Sequence, residues 1–89
     1  MSPQERKQQI TEKLAATFQP VLLEVIDDSH KHIGHTGHGG AGHFTVNIVA
    51  AAFAGQALVN KHRLIYTALQ ELMGPEIHAL SINAKAPQE

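Results

Sequence analysis

The chain has 89 residues, of which 43% are apolar, and this fits one compact domain with no room for a second core. The formal net charge is -1, so the chain as a whole lacks the positive charge that nucleic-acid-binding domains usually carry. The absence of cysteine excludes disulfides, thiolate nucleophiles and all-cysteine metal sites, and leaves the seven histidines as ligands for borderline metals.

The first element in chain order is predicted to be a helix that ends near Phe18. Ser2 is suited to the N-cap, Pro3 to the first helical position, and Glu5 to the closure of a capping box. Pro20 disfavours helix at the residue before it, so we expect Gln19 to be extended. The predicted apolar stripe of the helix consists of Ile10, Leu14 and Phe18.

The N-terminal residues show neither the apolar core of a secretory signal nor the Arg-rich pattern of an organellar presequence. No apolar run approaches the roughly 20 residues of a membrane span. We therefore expect a cytoplasmic protein that does not associate with membranes.

Two strands are predicted next, over residues 21–28 and 43–50, on either side of a glycine- and histidine-rich segment. The first is short and rich in Val, Ile and Leu, and the second alternates apolar and polar residues, with Phe44 and Val46 on the buried face. Residues 29–42 contain five glycines and four histidines, and this composition predicts a flexible loop.

A second helix is predicted after Gly55, and Gly74-Pro75 marks its end. A last strand is predicted over residues 77–84, with a frayed tail over residues 85–89. The predicted apolar stripe of the second helix consists of Leu58, His62, Ile65, Leu69 and Leu72.

The order helix, strand, strand, helix, strand predicts an α+β fold with a three-stranded mixed sheet covered by helices on one face. The segment between the second and third strands is long enough for a right-handed crossover, so these strands should be parallel. Parallel strands begin at the same edge of a sheet. His78, near the start of the third strand, should therefore lie at the edge where the histidine-rich loop enters the second strand, in phase with Leu80 and Ile82.

From about residue 10 to residue 87 the sequence resembles the BolA family. No single segment is diagnostic, but their order and spacing together are specific. The segments that carry the resemblance are Phe18-Gln19-Pro20, Asp27-Asp28-Ser29-His30-Lys31-His32, His43-Phe44, Ile48-Val49, Phe53-Ala54-Gly55, Asn60-Lys61-His62-Arg63-Leu64-Ile65-Tyr66 and Ile77-His78-Ala79-Leu80-Ser81.

The resemblance implies a type-II KH-like fold and a role beside a monothiol glutaredoxin. In such a pair a 2Fe-2S cluster is held by the glutaredoxin cysteine, a glutathione thiolate and two ligands from the BolA-like partner. The resemblance assigns one ligand to His78 and the other to the loop, where His32 is the best match by position and His35 competes with it. The implied activity is iron-sulfur cluster trafficking or iron-linked regulation, and the apo protein could form a homodimer.

Three other interpretations are considered. The loop could bind zinc, copper or nickel opportunistically, because imidazole suits several metals. The family resemblance also implies a DNA-binding regulator of stress response or cell morphology, for which Asn60, Lys61 and Arg63 would form the basic surface, although the Gly-x-x-Gly loop of nucleic-acid-binding KH modules is missing. Independent catalysis is not expected, because Ser29 and the nearby histidines and aspartates lie in a loop without a rigid nucleophile turn.

Overall fold

A computed structural model of the protein describes residues 1–29 and 41–89. His30, His32, His35 and His38 lie outside the described residues. The element order is α1 (Pro3–Phe18), β1 (Leu22–Asp27), β2 (Gly42–Val49), a short 3-10 helix (Ala51–Phe53), α2 (Leu58–Ala68) and β3 (Ile77–Lys85). Within the described residues, no helix is long and apolar enough to cross a membrane.

Helix α1 begins with the predicted capping box. The Glu5 amide donates to Ser2 Oγ at 3.1 Å, and the Ser2 amide donates to Glu5 Oε1 at 3.1 Å. The Ser2 amide, which donates to the Glu5 carboxylate, lowers the pKa of this carboxyl, and the Ser2 hydroxyl lowers it further.

The end of α1 differs from the prediction in one detail. The helix does end at Phe18, but Gln19 is left-handed (φ 42°, ψ 58°) rather than extended. Both conformations avoid the right-handed helical region that Pro20 disfavours. The left-handed one also lets the Gln19 amide donate to the Ala15 carbonyl at 3.0 Å, which satisfies an acceptor at the helix end.

The three strands form a mixed sheet in the order β1-β2-β3. β1 is antiparallel to β2, with Leu22 opposite Val49 and Asp27 opposite Phe44. β2 is parallel to β3, so the predicted crossover between them is confirmed. The α+β architecture is confirmed and is compatible with the KH-like arrangement that the resemblance implies.

The core lies between one face of the sheet and the helices. Phe44, Val46 and Ile48 of β2 are at most 2% exposed and belong to one cluster with residues of both helices. The predicted stripe of α1 is confirmed, because Ile10, Leu14 and Phe18 are buried. Phe18 also packs against Phe53 of the 3-10 helix, with ring centroids 5.0 Å apart.

Helix α2 is shorter than predicted, and its buried face is rotated relative to the prediction. It ends at Ala68, and a series of turns connects it to β3. Leu58 and the next residue, Val59, are 65% and 63% exposed, so the first two residues of the helix do not contribute to the core, whereas Lys61 is only 8% exposed. Ile65, Leu69 and Leu72 are buried as predicted.

The C-terminal tail packs on the domain, so the prediction that residues 85–89 are frayed is not supported. Lys85 is part of β3, and Ala86 is 5% exposed. The Glu89 carboxylate contacts the Lys61 ammonium at 2.6 and 2.8 Å. This ion pair holds the tail against α2, which a sequence pattern could not indicate because the two residues are far apart in the chain.

Candidate metal-binding site

Both ends of the histidine-rich segment are held at one edge of the sheet. The Asp28 amide donates to the His43 carbonyl at 2.8 Å, and the His43 amide donates to Ser29 Oγ at 3.1 Å. The Gly42 amide donates to the Glu76 carbonyl at 3.0 Å, just before β3 begins. The start of β2, the start of β3 and the base of the segment therefore meet, as the sequence predicted.

A β-bulge at this edge determines where His78 lies. Gly42 is paired with Ile77, but the next residue of β2, His43, is paired with Ala79, so His78 is the additional residue of β3. Ile77 is buried in the core at 1% exposure, whereas His78 is exposed. The expectation that His78 lies in phase with Leu80 and Ile82 is therefore wrong.

The bulge brings two imidazoles side by side. The ring centroids of His43 and His78 are 5.0 Å apart, with an angle of 47° between the ring planes. His43 belongs to the strand face opposite Phe44 and Val46, away from the core. Among the described residues, this His43–His78 pair is the arrangement that best suits a metal, because neutral imidazoles on adjacent strands can bind one ion together.

Our sequence reasoning did not identify His43 as a site residue. Two signals were available: His43 is the first polar residue of the alternating strand, and it directly follows the histidine-rich segment. The predicted second ligands, His32 and His35, lie outside the described residues. Residues 1–29 and 41–89 contain no cluster of three or more His, Cys, Asp or Glu side chains that could enclose a metal ion.

The residues around the pair are polar and acidic. Thr45 Oγ1 donates to Asp28 Oδ2, and Asp27 Oδ1 accepts from the Ser29 amide at 2.8 Å. These bonds fix the turn that follows β1 at the point where the histidine-rich segment begins. Two imidazoles at this edge have the donor chemistry of the histidine-ligated iron in a Rieske-type 2Fe-2S centre. The chain has no cysteine, so it could supply no thiolate to such a centre.

The three candidate nucleic-acid contacts are not equivalent in the structure. Asn60 and Arg63 are exposed on α2. Lys61 is only 8% exposed, and its ammonium is engaged by Glu89. The structure therefore leaves Asn60 and Arg63 accessible to a phosphate backbone, and Lys61 would first have to separate from Glu89.

The neighbouring His62 is half-buried in α2. In the described part of the chain, its Nε2 atom is buried and has no hydrogen-bond partner. This nitrogen belongs to α2 and is not part of the His43–His78 pair.

Comparison with known proteins gives consistent matches. Residues 14–89 match the family described as BolA-like protein. The chain is 47% identical over 90 residues to SufE-like protein 1, chloroplastic/mitochondrial, of Arabidopsis thaliana. This alignment covers 94% of the chain but only 24% of the relative. The chain is also 40% identical over 83 residues to the DNA-binding transcriptional regulator BolA of Escherichia coli (strain K12), and this alignment covers 93% of the chain and 77% of the relative.

The fold agrees with solved structures of related domains. The BolA domain of SufE1 from Arabidopsis thaliana superimposes with a TM-score of 0.83 at 48% identity and covers 93% of both chains. The chain spans about a quarter of the length of SufE-like protein 1 and about three quarters of the length of the Escherichia coli regulator.

Proposed function

Because this chain belongs to the BolA-like protein family, we propose that it is a non-enzymatic adaptor that shares a 2Fe-2S cluster with a monothiol glutaredoxin. In the proposed complex, imidazoles of this chain bind one iron, and the glutaredoxin cysteine and a glutathione thiolate bind the other. The observation that carries the proposal is the His43–His78 pair at the base of the histidine-rich segment, in which His78 is exposed and His43 is half-buried.

The donor chemistry supports this division of ligands. The chain has no cysteine, so it cannot hold a cluster by itself with thiolates. Histidine ligation at one iron makes a 2Fe-2S centre less negative and raises its potential, as in Rieske centres. A cluster bound in this way suits transfer to another protein or sensing of iron status.

The second imidazole ligand has three candidates. His78 is common to all of them, since the bulge exposes its ring. The family resemblance favours His32 or His35, and the structure adds His43 because its ring lies beside that of His78. His43 is held in a paired strand, so binding through it requires little further ordering of its backbone.

The test is to mix the protein with a cluster-loaded monothiol glutaredoxin and record visible absorption and circular dichroism. His78→Ala should abolish the spectrum of the mixed complex. Ser81→Ala, an exposed residue of the same strand, is the matched control and should leave the spectrum unchanged. A wild-type spectrum from His78→Ala would exclude His78 as a ligand.

Further variants identify the second ligand. If His43 is the ligand, His43→Ala alone abolishes the mixed spectrum. If His32 and His35 substitute for one another, each single alanine change is mild and the double change is severe. If all of these variants keep the spectrum of the mixed complex, the second ligand does not come from these histidines.

The alternative function is DNA binding, and it rests on the exposure of Asn60 and Arg63 together with the name of the Escherichia coli relative. A gel-shift titration at several salt concentrations tests it. Arg63→Ala should weaken binding and reduce the salt slope by about one if Arg63 contacts a phosphate. No shift at low salt with the wild-type protein would exclude this function.

A further inference from the structure

The His43–His78 pair exists because of the bulge, and the bulge depends on how β3 begins. Regular alternation would place His78 on the core side with Leu80 and Ile82, away from His43. The structure instead places Ile77 in the core and exposes His78. The contacts that hold the residues just before Ile77 therefore help to determine which face of the sheet His78 occupies and how close its ring lies to His43.

Backbone hydrogen bonds connect the start of β3 to two other parts of the domain. The Glu76 carbonyl accepts from the Gly42 amide at 3.0 Å, which links it to β2. The amides of Glu76 and Ile77 both donate to the Leu72 carbonyl at 2.9 Å, which links them to the turn after α2. Glu76 is thus the residue where β2 and the turn after α2 are connected.

The side chain of Glu76 adds a third connection, to α1. Arg6 Nε donates to Glu76 Oε1 at 2.9 Å, and the two side chains are only 14% and 21% exposed. Arg6 lies one turn before Ile10, in line with the buried stripe of α1, and its amide donates to the Ser2 carbonyl within the capped first turn. A short, largely desolvated ion pair from a capped and packed helix is a firm attachment.

We infer that Arg6 is a positioning residue for the His43–His78 pair and acts through Glu76. This inference deepens the proposed function and rests on it for its biological purpose. Arg6 does not contact the imidazoles. It fixes the start of β3 relative to α1, so that the bulge falls at His78 and the ring is presented beside His43.

Helix α1 provides a matched control for the test. Lys13 is also paired with an acidic residue of the segment between α2 and β3, Glu71, but the distance is 3.9 Å and Glu71 is 79% exposed. Because exposed and distant ion pairs contribute little, Lys13→Met should leave the start of β3 in place. Arg6→Met removes a charge of the same sign from the same helix.

The experiment measures native-state amide hydrogen exchange and the nuclear Overhauser effect between the two imidazole rings, using the full chain without metal. In Arg6→Met, amide exchange at Gly42 and Ile77 should rise by about tenfold relative to exchange at Val46 in the middle of β2. The reason is that loss of the Arg6–Glu76 pair favours local opening of the start of β3. The ring-to-ring effect should weaken. Lys13→Met should change neither.

A purely structural role would give a different result. If Arg6→Met accelerates exchange at Gly42 and Val46 equally, or leaves the contact between the rings intact, the inference is overturned. Glu76→Gln keeps the backbone bonds and serves as a second variant in case Arg6→Met does not fold; it should show the same local change. The double variant with Arg6→Glu and Glu76→Arg should restore the ring contact.

These measurements are independent of the cluster. If the wild-type protein forms no mixed complex with glutaredoxin, the proposed function fails, while the exchange data still decide the role of Arg6. If the complex forms, Arg6→Met should alter its visible circular dichroism and Lys13→Met should not.

Discussion

Replacing Gly42 with alanine should destabilise the domain and disturb the base of the histidine-rich segment at the same time. An added Cβ would lie 2.7 Å from Phe44 Cε2 and 2.8 Å from Ser29 Oγ, both closer than Cβ contacts in folded proteins. The Phe44 ring cannot easily move, because it is 2% exposed within the core. Ser29 Oγ accepts the His43 amide, so displacing it would break that bond.

The expected cost follows from this steric conflict. Overpacking a well-packed core by one methyl group costs about 1–3 kcal/mol. In a domain of this size each kcal/mol lowers the melting temperature by about 4–8 °C. Since Gly42 has no left-handed φ, the backbone itself tolerates alanine and the whole cost arises from the two contacts.

Urea unfolding of Gly42→Ala, with Gly55→Ala as a control, measures this cost. Gly55 has φ +73° and no atom within 4 Å of an added Cβ, so its substitution costs only the left-handed strain of about 1–2 kcal/mol. Gly42→Ala should also weaken the contact between the His43 and His78 rings, and Gly55→Ala should not. A Gly42→Ala protein with the wild-type unfolding midpoint and an intact ring contact would refute the steric argument.

Three further predictions concern the tail, the first helix and the core. The Lys61 ammonium, and then the Ala86 backbone, lower the pKa of the Glu89 carboxyl below its usual value. The stabilisation that the Lys61–Glu89 pair gives is therefore present above the unfolded-state pKa of Glu89 and is lost as the pH falls through its folded-state pKa. Amide chemical shifts of the tail should report its undocking in that acidic range, and Glu89→Gln should show the undocked shifts already at neutral pH. Ser2→Ala removes the N-cap and should reduce the free energy of unfolding by about 0.5–2 kcal/mol in urea titrations, whereas an unchanged midpoint would show that the capping box is not formed. Phe53→Ala removes a fully buried ring packed on another aromatic ring and should cost about 3–5 kcal/mol; a loss below about 1 kcal/mol by thermal unfolding would contradict the packing of the 3-10 helix.

The sequence by itself determined the elements and their order. The spacing of Ile10, Leu14 and Phe18 predicts one helical face, and the alternation around Phe44 and Val46 predicts one strand face, because these periods follow from local backbone geometry. The length of the segment between the second and third strands predicts that they are parallel. From this alone the meeting of the loop and His78 at one sheet edge could be predicted.

The tertiary structure decided which side chains face each other at that edge. The bulge that exposes His78 and brings it beside His43 depends on the pairing of Gly42 with Ile77, which no local period encodes. The ion pair between Lys61 and Glu89 likewise joins residues that are distant in the chain. Both features arise from long-range pairing and packing, where a shift of one residue in register changes the face of a whole strand, so they become visible only when the chain is folded.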